Sequence, residues 1–306
     1  MSGINLEVQQ LFNEQVSNWE LARVNFNGLQ NVQTKTFDFG DFEVRVQFNP
    51  ARIVSSGAKV DAQSIAERKC FLCESNRPAE QRGFPLGDYD ILVNPFPIFP
   101  AHFTIPRREH VPQQILPFIT DMLFITRAMD NYLLFYNGPQ CGASAPDHMH
   151  FQAGSKDFLP LVNDYKRLKN THASLLVTTE KHQLYQVNNY LRTYYCIEST
   201  DSDSLRDAFE KLYTFLTSLS SGRGDGGEVA EPLMNVVCLF EDKKWYLFVI
   251  PRKAFRPWQY TADGNAQLLI SPATVEMCGV IITPVEAHFN RITQKDIESI
   301  YNQVTY

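Results

Sequence analysis

The stretch Ser144–Gln152, reading S-A-P-D-H-M-H-F-Q, constrains this chain more than any other. His148, His150 and Gln152 recur at a spacing of two, and in a β-strand residues i, i+2 and i+4 point to one face. At strand rise, neighbours in that row lie about 6.6 Å apart. Two imidazoles and a carboxamide are therefore expected to share a face, with Met149 and Phe151 turned to the other. The small-residue run Gly142-Ala143-Ser144-Ala145 just before it lets backbone N–H groups approach an anion closely. A nucleophile, its partners and a phosphate-sized cradle thus lie side by side, which points to chemistry at phosphorus. The plainer alternative is a strand whose two histidines are satisfied in a core or at a surface.

The 306 residues suit one large domain or two modest ones. Hydrophobic content of 44% and charged content of 20% are ordinary for a globular protein, and 22 Phe, 13 Tyr and 3 Trp supply core material. A net charge of −6 offers no global basic field, so a nucleic-acid partner is not expected. The N-terminus MSGINLEVQQLFNEQ lacks a basic and apolar leader, and no long apolar run predicts a membrane span. A cytoplasmic location follows by default, and there the six cysteines are expected as thiols or metal ligands.

Apolar periodicity predicts a helix over Leu6–Leu21, then a hairpin of Thr34–Phe39 and Phe42–Phe48 around Gly40-Asp41. Asn49–Asp61 reads as a loop. Further strands are expected at Tyr89–Asn94, His102–Ile105 and Leu133–Tyr136, with a helix over Gln114–Tyr132. A second half begins near Asn170, with strands at Ser174–Thr179 and Gln183–Cys196 and a helix at Asp203–Leu219. A hairpin joins Met234–Phe240 to Trp245–Ile250, Gly279–Thr283 is a late strand, and Thr293 with Asp296 caps a last helix reaching Val304. The glycine-rich Ser220–Glu231 follows a helix and ends in no Lys-Ser/Thr, so it reads as a plain loop. Ile105-Pro-Arg-Arg-Glu-His-Val-Pro112 and Ile250-Pro-Arg-Lys-Ala-Phe-Arg-Pro257 share I-P-R-[RK]-x-x-x-P after an apolar strand. Chance can produce so short an echo; the reading preferred here is two copies of one fold, the second degenerate.

Cys70-x-x-Cys73 with His110 and His148 forms a zinc pattern, and two thiolates with two imidazoles make a closed tetrahedral set suited to structural metal. Buried inert thiols and a redox pair are the alternatives, and His102 is the alternative third ligand. Arg107, Arg108, Lys156, Arg252 and Lys253 are candidates to neutralise a polyphosphate, against the plainer reading of solvated surface cations.

Asn94–His110 (NPFPIFPAHFTIPRREH) resembles the segment ahead of the catalytic strand in the histidine-triad superfamily. H-M-H-F-Q resembles the H-x-H-x-Q of its transferase branch, which holds galactose-1-phosphate uridylyltransferase, ATP adenylyltransferase (diadenosine tetraphosphate phosphorylase) and the GDP-hexose phosphorylases. The Cys/His set is similar to the uridylyltransferase zinc site, whereas Asn235–Pro251 and Met277–Ile282 look more like the tetraphosphate phosphorylases. The resemblance covers about residues 70–155, and 233–285 weakly. It implies an α+β, HIT-like fold of two tandem halves, 1–168 catalytic and 169–306 degenerate, each an antiparallel sheet with helices on one side. It implies His150 as nucleophile, Gln152 on the phosphoryl oxygen, Ser144 and Gly142 on phosphate, Asn94 at the nucleoside and Asn137 at phosphate or the loop; for both asparagines a turn residue is the alternative. It further implies a nucleotide substrate, a phosphate or sugar-phosphate acceptor, and room for a homodimer. A nucleotide hydrolase and a non-catalytic zinc-stabilised binding protein are the competing readings, and Gln152, where hydrolases usually carry a third histidine, argues against the first.

Overall fold

Thirteen strands are present among the described residues, 3–53, 60–220 and 231–306, of the computed structural model. In chain order they are β1 (Gln33–Asp38), β2 (Glu43–Phe48), β3 (Gly83–Leu86), β4 (Tyr89–Val93), β5 (His102–Pro106), β6 (Tyr132–Asn137), β7 (His150–Ser155), β8 (Ala173–Thr178), β9 (His182–Val187), β10 (Tyr194–Ser199), β11 (Met234–Glu241), β12 (Lys244–Pro251) and β13 (Val280–Thr283). Ten of them form one antiparallel sheet in the order β3-β4-β5-β7-β6-β11-β12-β10-β9-β8.

That order is a repeat. Counted from each outer edge inward, both halves place their first, second, third, fifth and fourth strands, and the two fourth strands, β6 and β11, pair at the centre. Each half inserts one helix between its third and fourth strands, Ile119–Ala128 in the first and Ser202–Ser220 in the second. Both helices bury against the same face of the sheet, because alternation sends Leu134 and Tyr136 of β6 and Val236 and Cys238 of β11 to that side. The opposite face receives Leu133, Phe135, Val237 and Leu239. It is covered by the helices Pro160–His172 and Gln294–Val304 and by the small sheet β1-β2-β13, where β2 pairs parallel to β13.

Local chemistry explains most elements. The β11–β12 turn sets Asp242 and Lys243 both at positive φ, the two-residue geometry that matches strand twist. Thr293 and Asp296 form the expected reciprocal cap. The α-helix expected over Gln114–Tyr132 shortens to Ile119–Ala128: it is entered through a 3₁₀ turn, Leu116–Phe118, with Pro117 in its first turn, and the Ile115 N–H is taken by the Glu231 carboxylate. The single strand expected over Gln183–Cys196 is two, since the chain reverses through Asn189 and Leu191 at positive φ. The expected Leu6–Leu21 helix is two helices, Gly3–Asn18 and Glu20–Gly28. The loop expected at Ser220–Glu231 lies, between its end residues, outside the described residues.

The echo is a correction. Its first copy ends β5, a third strand, and its second ends β12, a fifth strand, so the two stretches are not equivalent although the halves are. The helix Pro160–His172 runs unbroken through position 168/169 and carries the chain from one half to the other.

Candidate active site and metal-ligand cluster

β7 begins at His150, where its neighbours part. Pro106 faces His150 from β5 and offers no N–H, and pairing with β6 runs only as far as Phe135 opposite Gln152. The side chain of Gln113 fills the gap. Its oxygen accepts the His150 N–H (2.8 Å), and its amide donates to the carbonyls of His150 (3.0 Å) and Asn137 (3.1 Å). A buried carboxamide thus replaces a stretch of backbone and satisfies groups that would otherwise be costly to bury.

The His150 ring is buried, and its Nδ1 lies 2.8 Å from the His148 carbonyl. A carbonyl only accepts, so Nδ1 carries the proton and Nε2 keeps its lone pair. Burial lowers the His150 pKa to about 4, which keeps the ring neutral. His150 and Gln152 line a cavity of about 650 Å³ together with Asn94, Asn137, Gly142 and Ser144. The opposite faces of Met149 and Phe151 belong to the helix-side core.

Several cavity residues are also held structurally. The Asn94 oxygen accepts the Phe96 N–H (2.9 Å) and its amide donates to Thr104 (3.1 Å). Asn137 Oδ1 accepts from the Thr274 N–H (2.9 Å) and from Asn235 (3.3 Å). Gly142 has φ +102°, and a Cβ there would stand 2.3 Å from that of Ala273. Its glycine is required by this contact between the halves as much as by any anion.

None of the five expected phosphate cations lines the cavity. Arg107 turns its guanidinium to Asp88 (3.1 Å), with Asp121 at 3.5 Å, over the ring of Phe118. Lys156 lies six residues beyond His150, about 20 Å along the strand, and donates to the Phe240 carbonyl (2.7 Å). Arg108 pairs with Asp90, and Arg252 is buried with its N–H groups on Asn235 and on the carbonyls of Pro272, Ala254, Phe255 and Val304. Lys253 is not among the cavity residues. Three arginines passed over in the sequence line the cavity instead: Arg52, Arg68 and Arg256. Arg52 donates to the Phe96 carbonyl (2.7 Å). Arg68 pairs with Asp147. Arg256 donates to Ser271 (2.9 Å) and stacks between Tyr260 and Phe255. No motif marks these positions, because only the tertiary fold brings residues 52 and 256 to one wall.

Beside the cavity, Cys70, Cys73, His110 and His148 bring their ligand atoms within 4.8 Å of one another. Cys70 Sγ lies 3.3 Å from His148 Nδ1 and Cys73 Sγ lies 3.2 Å from His110 Nδ1. Four N and S ligands around one tetrahedral zinc stand about 3.6 Å apart, so this set can hold such an ion. Burial pushes the Cys70 thiol up, but hydrogen bonds from His148 and from the Leu72 and Cys73 N–H groups outweigh it and bring it to about 6. Nε2 of His148 donates to the Arg107 carbonyl (2.6 Å), which turns Nδ1 to the sulfurs. His102 stands apart from the cluster, against Gln152, so it is not a ligand there.

A family model described as a domain of unknown function, DUF4922, matches residues 11–155. No curated protein sequence matches the chain significantly. The solved structure of yeast Ap4A phosphorylase Apa2 matches with a TM-score of 0.65 at 16% identity, over 100% of this chain and 95% of that one. The same phosphorylase in complex with AMP gives 0.61 at 17% identity, over 100% and 98%. These likenesses establish the fold, an α+β chain of two tandem histidine-triad-like halves. On the second half, the face of β12 equivalent to that of His150 and Gln152 carries Tyr246, Phe248 and Ile250, which offer no imidazole. No helix among the described residues is long and apolar enough to cross a membrane.

Proposed function

We propose that this chain is a nucleotidyltransferase, of phosphorylase or hexose-1-phosphate nucleotidylyltransferase type, acting on a nucleoside diphosphate-sugar or a dinucleoside polyphosphate. The observation that carries the reading is the His150 ring, neutral, with Nδ1 on a backbone carbonyl and Nε2 without a hydrogen-bond partner among the described residues, at a cavity lined by arginines. In the reaction, the Nε2 lone pair attacks the α-phosphorus, and the phosphate leaving group departs with the electron pair of the broken P–O bond. One displacement becomes two, through a nucleotidyl-imidazole. Inorganic phosphate or a sugar phosphate then takes the nucleotidyl group from nitrogen and restores His150.

Gln152 donates hydrogen bonds without protonating the leaving group, which suits a phosphate that departs as an anion. Arg52, Arg68 and Arg256 supply positive charge around the polyphosphate. Burial lowers Arg52 to about 10, so it remains a cation at neutral pH. Cys70, Cys73, His110 and His148 would hold zinc in a structural role, fixing the turn that carries the His148 carbonyl against His150. The yeast phosphorylase of the same fold, whose structure holds AMP, supports a nucleotide as the ligand class. A cytoplasmic location and a homodimer remain part of the proposal.

Intact-protein mass spectrometry after brief incubation with a panel of NDP-sugars and dinucleoside polyphosphates tests this reading. An adduct of one NMP, absent from His150→Ala, is expected. Phosphate-independent hydrolysis with no adduct from any donor would replace it with a hydrolase.

A further inference from the structure

We infer that His102 is a positioning residue, which fixes the Gln152 carboxamide so that its N–H donors face the cavity beside His150. What Gln152 donates to rests on the proposed nucleotidyl transfer, whereas the His102 tautomer does not.

The orientation follows from a chain of obligatory donors. The Ile98 backbone N–H lies 3.1 Å from His102 Nδ1 and can only donate, so Nδ1 is the unprotonated nitrogen. In a neutral ring the proton is then on Nε2, which stands 3.0 Å from Gln152 Oε1 and donates to it. With its oxygen turned to His102, Gln152 has its amide nitrogen as the donor it can offer the cavity it lines. That nitrogen donates to no described residue. Turning the amide over would set N–H against N–H across 3.0 Å.

The ring has no freedom to escape this arrangement. His102 is fully buried, edge-on to Phe99 at 5.1 Å and near Phe135 at 6.0 Å. Phe99 in turn lies over Gly154, the residue opposite His102 in the β5–β7 pairing. Burial, with the Arg52 charge nearby, pushes the His102 pKa down to about 3, so the ring stays a neutral single donor. Two amide N–H groups held in advance beside the nucleophile are what a developing phosphoryl charge requires.

The tautomer is read directly by long-range ¹H–¹⁵N NMR on the full chain, with the His102 signals identified by their loss in His102→Gln. A neutral Nε2–H ring from about pH 5 to about pH 8 is expected. A proton on Nδ1, or an imidazolium within that range, overturns the inference whether or not any donor reacts. Single-turnover adduct formation at His150 supplies the second readout. Removing one preorganised donor costs on the order of 10² in rate. His102→Leu and Gln152→Leu should each lose about that factor with little change in donor affinity, and the double variant should lose no more than Gln152→Leu alone. His102→Gln, which returns an N–H near the Nε2 position, should recover at least about tenfold over His102→Leu. Additive losses, or full speed in His102→Leu, would show that the two side chains act separately. If His102→Leu fails to fold, His102→Gln with the NMR tautomer decides the matter.

Discussion

Gly154 shows how much one hydrogen atom decides here. Phe99 lies flat across it, and an added Cβ would stand 2.4 Å from the ring. Gly154→Ala should therefore push Phe99 off His102 and cost about 2 kcal/mol or more, read as a fall in the denaturant midpoint at constant m; an unchanged midpoint would mean the ring yields freely. The His102 ring beneath it makes stability depend on pH. Its folded pKa, about 3, lies below the ordinary 6.5, with burial the main cause and Arg52 next. Between those values the unfolded chain binds a proton that the fold refuses. Stability is complete above about pH 6.5 and falls as pH drops, by at most about 1.4 kcal/mol per pH unit for this one group. Unfolding free energies measured from about pH 7 to about pH 4 should show His102→Gln with a slope shallower by up to one proton. An unaltered slope would place the acid sensitivity elsewhere.

At the scale of elements, what the sequence made legible was what is local. The shared face of His150 and Gln152, the β1–β2 hairpin and the Thr293–Asp296 cap depend on neighbours within a few residues, whereas His148, expected in the same row, lies before β7 and turns its ring to Cys70. The Cys70-x-x-Cys73 turn is equally local, and His110 and His148 meet it because β5 and β7 are paired. Arg52 and Arg256 were invisible because their placement depends on where loops from distant parts of the chain return. Arg107 and Arg252 misled because an arginine near a motif has as many uses in holding carbonyls and carboxylates as in meeting a ligand. The Cys/His cluster carries a prediction of its own. Purified protein should contain about one zinc per chain, and a strong chelator should lower Tm and slow adduct formation at His150 together, because the His148 carbonyl orients His150. A metal-free protein with undiminished Tm would make the four residues ordinary buried side chains.

The whole molecule is a repeat in which the halves have parted in chemistry but not in structure. The second half keeps the strand order and the inserted helix, while β12 presents Tyr246, Phe248 and Ile250 where β7 presents His150 and Gln152. What it still contributes is scaffold and wall. Ala273 closes on Gly142, Thr274 and Asn235 hold Asn137, and Arg256 enters the cavity. β6 is also the inner edge of the first half, and without β11 its Tyr132–Asn137 backbone, fully buried here, would face water with an open ladder. Residues 1–172 expressed alone should therefore lack a cooperative melting transition and form no nucleotidyl adduct. Adding residues 173–306 in trans should restore both if the halves dock as the sheet requires. Calorimetry and intact mass on the fragment and the mixture decide it: a fragment that melts cooperatively and labels by itself would make the second half an accessory, not half of the fold.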